Sequence, residues 1–472
     1  MDLQKIHKIY FVGIGGIGMS ASAGIAREAG FEVTGSDSKA LYAPSKDVLD
    51  TYDIEHFIGY DEKNIIDHPA DLYVLSAGED LANPEVAYII EHDLTYVSFP
   101  ELLYELSKDR LRIVVAGTHG KSTTAALLGT LLSEIDDSSY MVGAVLQGKQ
   151  TNFQVGNGNY FIFEGDEYKS TFDDPTPKFQ YYRPDIVILN NVEFDHPDAF
   201  STIEDIVEEF KLLINAMPAD GLLIYNSDDV YATQLAFQAN VASFAYSLEH
   251  EADFTATDIF YGPTGTTFTV RDTKNSDNEK AEDYQIALPG KMNIYNALAC
   301  IATLRALGFA RELFADTLAE FGGIKRRFEL VGKPHGTIII DDYAHHPTAV
   351  RETLAAARSR YSSKRIWAVF EPHTYSRTKA TLPELVQSFV SADKVLIAEI
   401  YPARETPAQA NITGAEVVKA IKEHHSDVRL VANKTEALEI LKTEIGPDDV
   451  VIIMAVGSFN RLAYDLLEDL SK

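Results

Sequence analysis

The sequence predicts an α/β protein built mainly on parallel sheets and divided among three domains. Three observations lead there. Strand-like apolar runs alternate with helical patterns along nearly the whole chain, the order that βαβ units produce. Two glycine-rich turns each follow such a run and lead straight into a helical pattern. A chain of 472 residues exceeds what one core can fill and suggests two to four domains.

Taken in order, residues 9–12 read as the first strand, 20–29 as a helix and 31–34 as a second strand. Further strands are expected at 72–75, 113–116, 161–163 and 186–189, then at 337–340, 366–370, 394–397 and 450–454. Between 267 and 288 two alternating runs flank the polar "RDTKNSDNEKAED", which reads as a hairpin with a long exposed tip. Seams fall near residues 108–110 and just past "KRRFELVGKPHG", each before a new strand. The domains are therefore placed at 1–108, 109–329 and 330–472. The outer two read as Rossmann-like units and the central one as a P-loop ATPase-type unit.

Composition narrows the partners. With 46% hydrophobic and 24% charged residues the chain is an ordinary globular protein, and no apolar run reaches bilayer length. The start "MDLQKIHKIYFVGIGG" enters a strand-like run at once, without a signal-peptide pattern. A formal net charge of −30 argues against nucleic acid, which needs a positive surface. It leaves open phosphorylated small molecules, which are held by local amides, a few cations and metal ions. The single cysteine, Cys300, sits in the helical pattern "NALACIATLRALG"; it excludes a disulfide framework and suits a reducing cytoplasm. A cytoplasmic monomer or weak homodimer, with no membrane insertion, is the expectation.

The first glycine turn, "YFVGIGGIGMS", sets Gly13, Gly15 and Gly18 in G-x-G-x-x-G spacing, and Asp37 ends the next strand. By itself this is a dinucleotide fingerprint with Asp37 placed for a ribose hydroxyl, as in an NAD(P)-dependent oxidoreductase; a structural tight turn is the plainer alternative. The second turn, "VVAGTHGKSTTAALLG", ends as a phosphate-binding loop, although Val115 stands where such loops usually carry their first glycine. Gly117 and Gly120 let the backbone curl with its N–H groups inward, and the helix N-terminus adds positive potential. Lys121 would reach the β/γ-phosphates and the Ser122 hydroxyl a magnesium ion. A plain strand–helix turn is the alternative.

Later motifs add chemistry at strand ends. Glu164 in "FIFEGDEYKSTF" and His196 in "ILNNVEFDHPD" each follow an apolar strand, where carboxylate and imidazole can complete a divalent-metal site. A histidine satisfied by backbone is the alternative for His196. Asn293 and Asn296 in "LPGKMNIYNALAC" share one face of a helix start, and their amides can pair with a purine edge. Arg326 and Arg327 in "GGIKRRFEL" stand at a domain junction, where arginine suits a γ-phosphate whose charge shifts during transfer; a solvated pair is the alternative. "IIIDDYAHHPTAV" brings Asp342, Tyr343, His345 and His346, and "FEPHTYSRTKAT" brings His373, Tyr375 and Arg377.

The short form GTHGKST resembles the ATP loop of the Mur ligases, the amide-bond-forming enzymes of peptidoglycan assembly, whose loop commonly reads G-T-x-G-K-S/T. "VLSAGEDLANPEV" and "AEIYPARETP" extend the resemblance over essentially the whole chain. It implies ATP and Mg2+. Gly117, Thr118, His119, Gly120, Lys121, Ser122 and Thr123 would then hold the triphosphate, with Asn191 near the nucleotide and Arg327 on the γ-phosphate. Asn293 and Asn296 serve the adenine, beside Met292 in place of the family's histidine, and Asp342 serves the ribose. Ser122, Glu164 and His196 become the metal ligands. Lys211, in "IEDIVEEFKLL", is either carbamylated and bridges a second metal, as in several members, or an exposed helix lysine. In the N-terminal domain Gly13, Gly15, Gly16, Gly18, Ser36, Asp37 and Ser76 become a UDP-sugar site. In the C-terminal domain Tyr343, His345, His373 and Arg377 line an amino-acid pocket, with His345 a candidate base.

"HTYSRTKAT" and "IYPARE" point to the alanine-adding members. The implied reaction is ADP-forming ligation of L-alanine to the lactyl carboxylate of UDP-N-acetylmuramic acid through an acyl phosphate. "DEYKSTFDDPTPKFQYYRPDIVILNNVEFDH" is similar instead to members that recycle the ready-made tripeptide L-alanyl-γ-D-glutamyl-meso-diaminopimelate, which is the alternative amine donor.

Overall fold

Three sheets divide the chain in the computed structural model, which describes residues 1–195, 199–274, 280–403, 405–406 and 412–472. The first sheet holds β1 (Lys8–Val12), β2 (Glu32–Asp37), β3 (Glu55–Ile58), β4 (Leu72–Leu75) and β5 (Tyr96–Ser98), all parallel, in the order β3-β2-β1-β4-β5. The chain winds away from β1 on both sides, so a crevice opens beyond its carboxyl end, where open α/β sheets take ligands.

The second sheet comprises β6 (Leu111–Ala116), β7 (Ser139–Met141), β8 (Phe153–Gln154), β9 (Tyr160–Glu164), β10 (Ile186–Leu189), β11 (Leu222–Asn226), β12 (Ala242–Ser247), β13 (Phe254–Tyr261), β14 (Thr266–Asp272) and β15 (Lys280–Ile286). Its order is β15-β14-β13-β12-β11-β10-β6-β9-β7-β8, with β6 flanked by parallel β10 and β9 at a second switch point. The expected hairpin is the antiparallel pair β14 and β15, paired from Thr266↔Ile286 to Asp272↔Lys280; its tip, 275–279, lies outside the described residues.

The third sheet runs β16-β17-β21-β18-β19-β20, formed by β16 (Glu329–Gly332), β17 (Ile338–Asp342), β18 (Arg365–Phe370), β19 (Lys394–Ala398), β20 (Val428–Val431) and β21 (Asp449–Met454). Only β16 is antiparallel in it.

Expected strands 72–75 and 186–189 coincide with β4 and β10, and the remaining expected strands shift at their ends by up to three residues. These strands were legible because covering on both faces leaves a continuous apolar run. β12 and β13 carried no expectation, since "ASFAYS" and "FTATDIFY" break that run with polar residues, and β11 carried none although "LLIYN" is such a run. The helix expected at 20–29 begins earlier, at Ile17, because Gly16 already has the extended conformation of an N-cap.

Helix Lys121–Asp136 packs with helix Lys291–Ala306 on the second sheet, where Leu128, Leu131, Leu298 and Ile301 are fully buried. Cys300 lies in this layer, and burial pushes its thiol well up, so it stays an inert apolar filler. Helix Ile203–Asn215 buries only the stripe Ile206, Phe210, Leu213 and Ile214. Among the described residues, no helix is long and apolar enough to cross a membrane.

Candidate active site

Residues that follow strand carboxyl ends in all three sheets line one cleft of about 460 Å³. Gly16 and Ser76 come from the first sheet, residues 119–122 with Glu164 from the second, and Tyr343 with His345 from the third.

The loop after β6 is built by glycine and asparagine. Gly117 (φ +127°) and Gly120 (φ +81°) take conformations that a side chain resists, and a Cβ at Gly120 would lie 2.5 Å from Asn296 Oδ1. Asn191 braces the turn: its carbonyl accepts from Thr118 N–H at 3.0 Å and its Oδ1 from His119 N–H at 2.8 Å. Its Nδ2 donates back to His119 O at 3.2 Å. The structure thus sets Asn191 under the loop as its support. Gly120 then caps helix Lys121–Asp136 without a side-chain bond, so the first-turn N–H groups are left to face an anion.

Lys121 Nζ donates to Gly117 O at 2.7 Å and pairs with Glu167 Oε2 at 3.0 Å. Burial works against its charge, yet Glu167, Glu164 and Asp166 outweigh that and raise its pKa. The lysine therefore stays protonated while folded against its loop. Ser122 Oγ donates to Glu164 Oε1 at 2.7 Å, and Gly143 N–H to Glu164 Oε2 at 2.6 Å. A hydroxyl and a carboxylate meeting beside a phosphate loop are the hard oxygen donors that magnesium takes. His196, the third expected ligand, lies outside the described residues. Lys211 sits on helix Ile203–Asn215 in an ion pair with Glu208 at 2.9 Å.

A second pocket adjoins the loop, lined by Gly120, Thr123, Met292, Asn293, Asn296, Arg327 and Asp342. Asn296 is buried; its Nδ2 donates to Asn293 Oδ1 and its Oδ1 accepts from Thr124 at 3.1 Å. Asn293 Nδ2 donates to Pro289 O. Asp342 accepts from Phe328 N–H and Ala344 N–H, both at 2.7 Å, and fixes the turn that carries the two arginines. Those arginines part company. Arg326 Nη2 donates to Ala455 O at 2.5 Å and to Val456 O, tying it into the third sheet, while Arg327 lines both pockets.

In the first domain Gly15 N–H donates to Asp37 Oδ2 at 2.9 Å, and a Cβ at Gly13 would lie 2.8 Å from Ser76 Cβ. Gly16, Gly18 and Ser76 line the cleft. Ser36 does not reach it: it is fully buried and donates to the Glu85 carboxylate beneath the turn.

The amine side is assembled on the third sheet. His345 Nδ1 lies 2.8 Å from Tyr343 O and so carries the proton, which leaves Nε2 as an acceptor. Enclosure by protein, then the charge of Arg377, holds its pKa well below the usual value, so the ring is neutral. His345 and His373 meet edge to face at 5.5 Å. Arg377 is buried; its Nη1 donates to His373 Nδ1 at 2.7 Å and its Nε to Asp195 Oδ1 at 2.8 Å. Glu405 accepts from Tyr375 N–H at 2.6 Å and Ser376 N–H at 3.0 Å, and so fixes the turn into helix Tyr375–Ala380, which carries Arg377.

Comparison with known proteins agrees with this arrangement. Family profiles match in chain order: Mur ligase family, catalytic domain over 8–110, Mur ligase middle domain over 115–304, and Mur ligase, glutamate ligase domain over 326–457. A UDP-N-acetylmuramate–L-alanine ligase of Geobacter sp. (strain M21) is 32% identical over 465 residues, covering 98% of this chain and 97% of that protein. The chain belongs to the Mur ligase family.

Solved Mur ligases share the fold. The UDP-N-acetylmuramate-alanine ligase MurC of Thermotoga maritima superposes with a TM-score of 0.80 at 21% identity, over 98% of both chains. A murein peptide ligase of Psychrobacter arcticus 273-4 superposes at 0.73 with 28% identity, over 99% of both. Sequence reasoning on this Mur ligase missed Glu167 as the partner of Lys121 and Glu193 as the partner of His119. The available signal was slight: acids at 164, 166 and 167 crowd one strand end beside a lysine-bearing loop, and Glu193 falls between Asn191 and His196.

Proposed function

We propose that this Mur ligase joins L-alanine to the lactyl carboxylate of UDP-N-acetylmuramic acid with hydrolysis of ATP to ADP and phosphate, in building the peptidoglycan precursor. The observation that carries the reading is the single cleft into which the phosphate loop, the first glycine turn and His345 all open, with the His373–Arg377 pair set behind His345. Relatives named for this reaction match 97–99% of the chain.

A carboxylate is a poor electrophile, so its oxygen first attacks the γ-phosphorus; the bond to the β-phosphate oxygen breaks and ADP leaves. The neutral amine of alanine then attacks the acyl carbon and phosphate departs. Lys121, protonated and folded against the loop, and Arg327 at the junction of both pockets offset charge on the moving phosphoryl group. Ser122 and Glu164, with His196, would hold Mg2+, which when bound neutralises phosphate charge. His345, neutral and with Nε2 an acceptor, stands to take the proton that the amine nitrogen sheds as it bonds to the acyl carbon. Asn293, Asn296 and Met292 shape the wall for the base, and Asp37 with Ser76 the side facing the UDP-sugar.

The test is ATP-dependent phosphate release with UDP-N-acetylmuramic acid and a series of amines: alanine, glycine, serine and L-alanyl-γ-D-glutamyl-meso-diaminopimelate. Alanine is expected to give the highest kcat/KM. Preference for the tripeptide would replace this reading with the recycling one, which the likeness to the murein peptide ligase keeps in the comparison.

A further inference from the structure

Three consecutive residues after β10 each contact the C-terminal domain. Glu193 Oε2 accepts from Thr348 Oγ1 at 2.8 Å, Phe194 O lies 3.3 Å from His346 Nε2, and Asp195 pairs with Arg377 at 2.8 Å. The same strip is bonded to the phosphate loop on its other side. Glu193 N–H donates to Thr118 Oγ1 at 2.8 Å, Thr118 Oγ1 donates to Glu193 O at 3.1 Å, and Glu193 Oε2 sits 3.3 Å from His119 Nε2. One carboxylate oxygen therefore joins a loop residue to Thr348, in the first turn of helix Pro347–Arg360. The rings of His119 and His346 pack 4.8 Å apart over it.

We infer that Glu193 is a positioning residue which couples filling of the phosphate loop to seating of the C-terminal domain. A nucleotide on the loop fixes Thr118 and His119; these aim the Glu193 carboxylate at Thr348; helix Pro347–Arg360 then docks, and with it the turn bearing His345. The carboxylate suits that task because it keeps its charge: burial opposes ionisation, but the bonds from His119 and Thr348 hold its pKa down at about 2. An amine pocket completed only after the loop is filled would shield an acyl phosphate from water. The inference rests on the nucleotide reading of the loop, not on the identity of the amine.

Hydrogen exchange on the full chain, with and without a non-hydrolysable ATP analogue and Mg2+, tests it. In the unaltered protein the analogue is expected to slow exchange at least fivefold both in residues 117–124 and in helix Pro347–Arg360. In Glu193→Ala it should protect the loop alone, with kcat falling at least tenfold, KM for the UDP-sugar unchanged and Tm kept within a few degrees. Glu193→Gln, which retains an oxygen for Thr348, should recover part of the helix protection. Equal helix protection in Glu193→Ala and the unaltered protein would overturn the coupling while leaving the nucleotide reading intact. Absence of loop protection in the unaltered protein would overturn the nucleotide reading and this inference with it.

Discussion

The two glycine turns of this Mur ligase have the same skeleton and different surroundings. Each leaves a central parallel strand, β1 or β6, at a switch point and enters a helix capped by a glycine with no side-chain bond. The first is hemmed by acids: Asp37 holds Gly15 N–H, and Glu85 lies beneath it through Ser36. The second is braced by the amides of Asn190, Asn191 and Asn296, and the acids beside it, Glu164, Asp166 and Glu167, are answered by a protonated lysine that the first turn lacks. Glycine spacing fixes how the backbone curls; the residues packed around the curl decide which charge it accepts. A fingerprint read without its surroundings therefore leaves the ligand open, as the oxidoreductase alternative illustrates.

The largest effect expected is on the cationic turn. Lys121→Ala should lower phosphate release by about a thousandfold or more, since it removes charge where the transferred group gains it. The affinity of the first domain for the UDP-sugar, measured by calorimetry, should stay within about twofold, the range of an unperturbed site. Loss of both would mean that the two turns are not independent. Next comes the acidic turn. Asp37→Ala should raise KM for the UDP-sugar about tenfold, roughly the worth of one charge-assisted hydrogen bond, with KM for ATP unmoved. A rise in KM for ATP instead would break the division of labour.

Legibility followed the same line. Strand ends, the Lys121 loop and the His345–His373–Arg377 group were readable because short-range pattern sets them: an apolar run, then a turn, then a helix start. The acids that complete them were not. Glu167 meets Lys121 from 46 residues away, Glu193 meets Thr348 from 155, and Asp195 meets Arg377 from 182. No local spacing encodes such pairs; the second sheet's order brings the carboxyl ends of β6, β9 and β10 together, and the segments after β17 and β18 of the third sheet meet them there. Ser36 marks the converse. Its motif placed it with the sugar, but strand alternation turns its hydroxyl under the turn, onto Glu85.

Smaller effects separate conformation from space. Gly120→Ala should cost about 1–3 kcal/mol in urea unfolding, because its left-handed backbone and the Asn296 amide both resist a methyl. Gly15→Ala meets only the ends of the Leu41 and Asp37 side chains, at 2.4 and 2.6 Å, which can swing aside. Its cost should be the lesser of the two, about 1 kcal/mol. The reverse order would show that the acidic turn is the more rigid.

The smallest effect concerns what lies beneath the acidic turn. Glu85 is fully buried, and burial raises its pKa against the hydrogen bonds from Ser36, Asn64 and Asp61 N–H. A carboxyl whose folded pKa is raised keeps a proton that the unfolded chain releases, so its contribution to stability is present at low pH and declines as pH rises through the folded value. Glu85→Gln removes that decline because an amide does not titrate; Ser36, which donates to Oε2, turns its hydroxyl to accept from the amide, while the remaining oxygen accepts from Asn64. Unfolding free energy from pH 4 to pH 8 should show the variant equal to the unaltered protein at the acid end and more stable at the alkaline end, by on the order of 1 kcal/mol. Lys121 gives no such slope across this range, since its pKa is raised and it is charged throughout. If Glu85→Gln instead lost stability as pH rose, the carboxylate would be the form that supports the first turn, and both turns would rest on fixed charge.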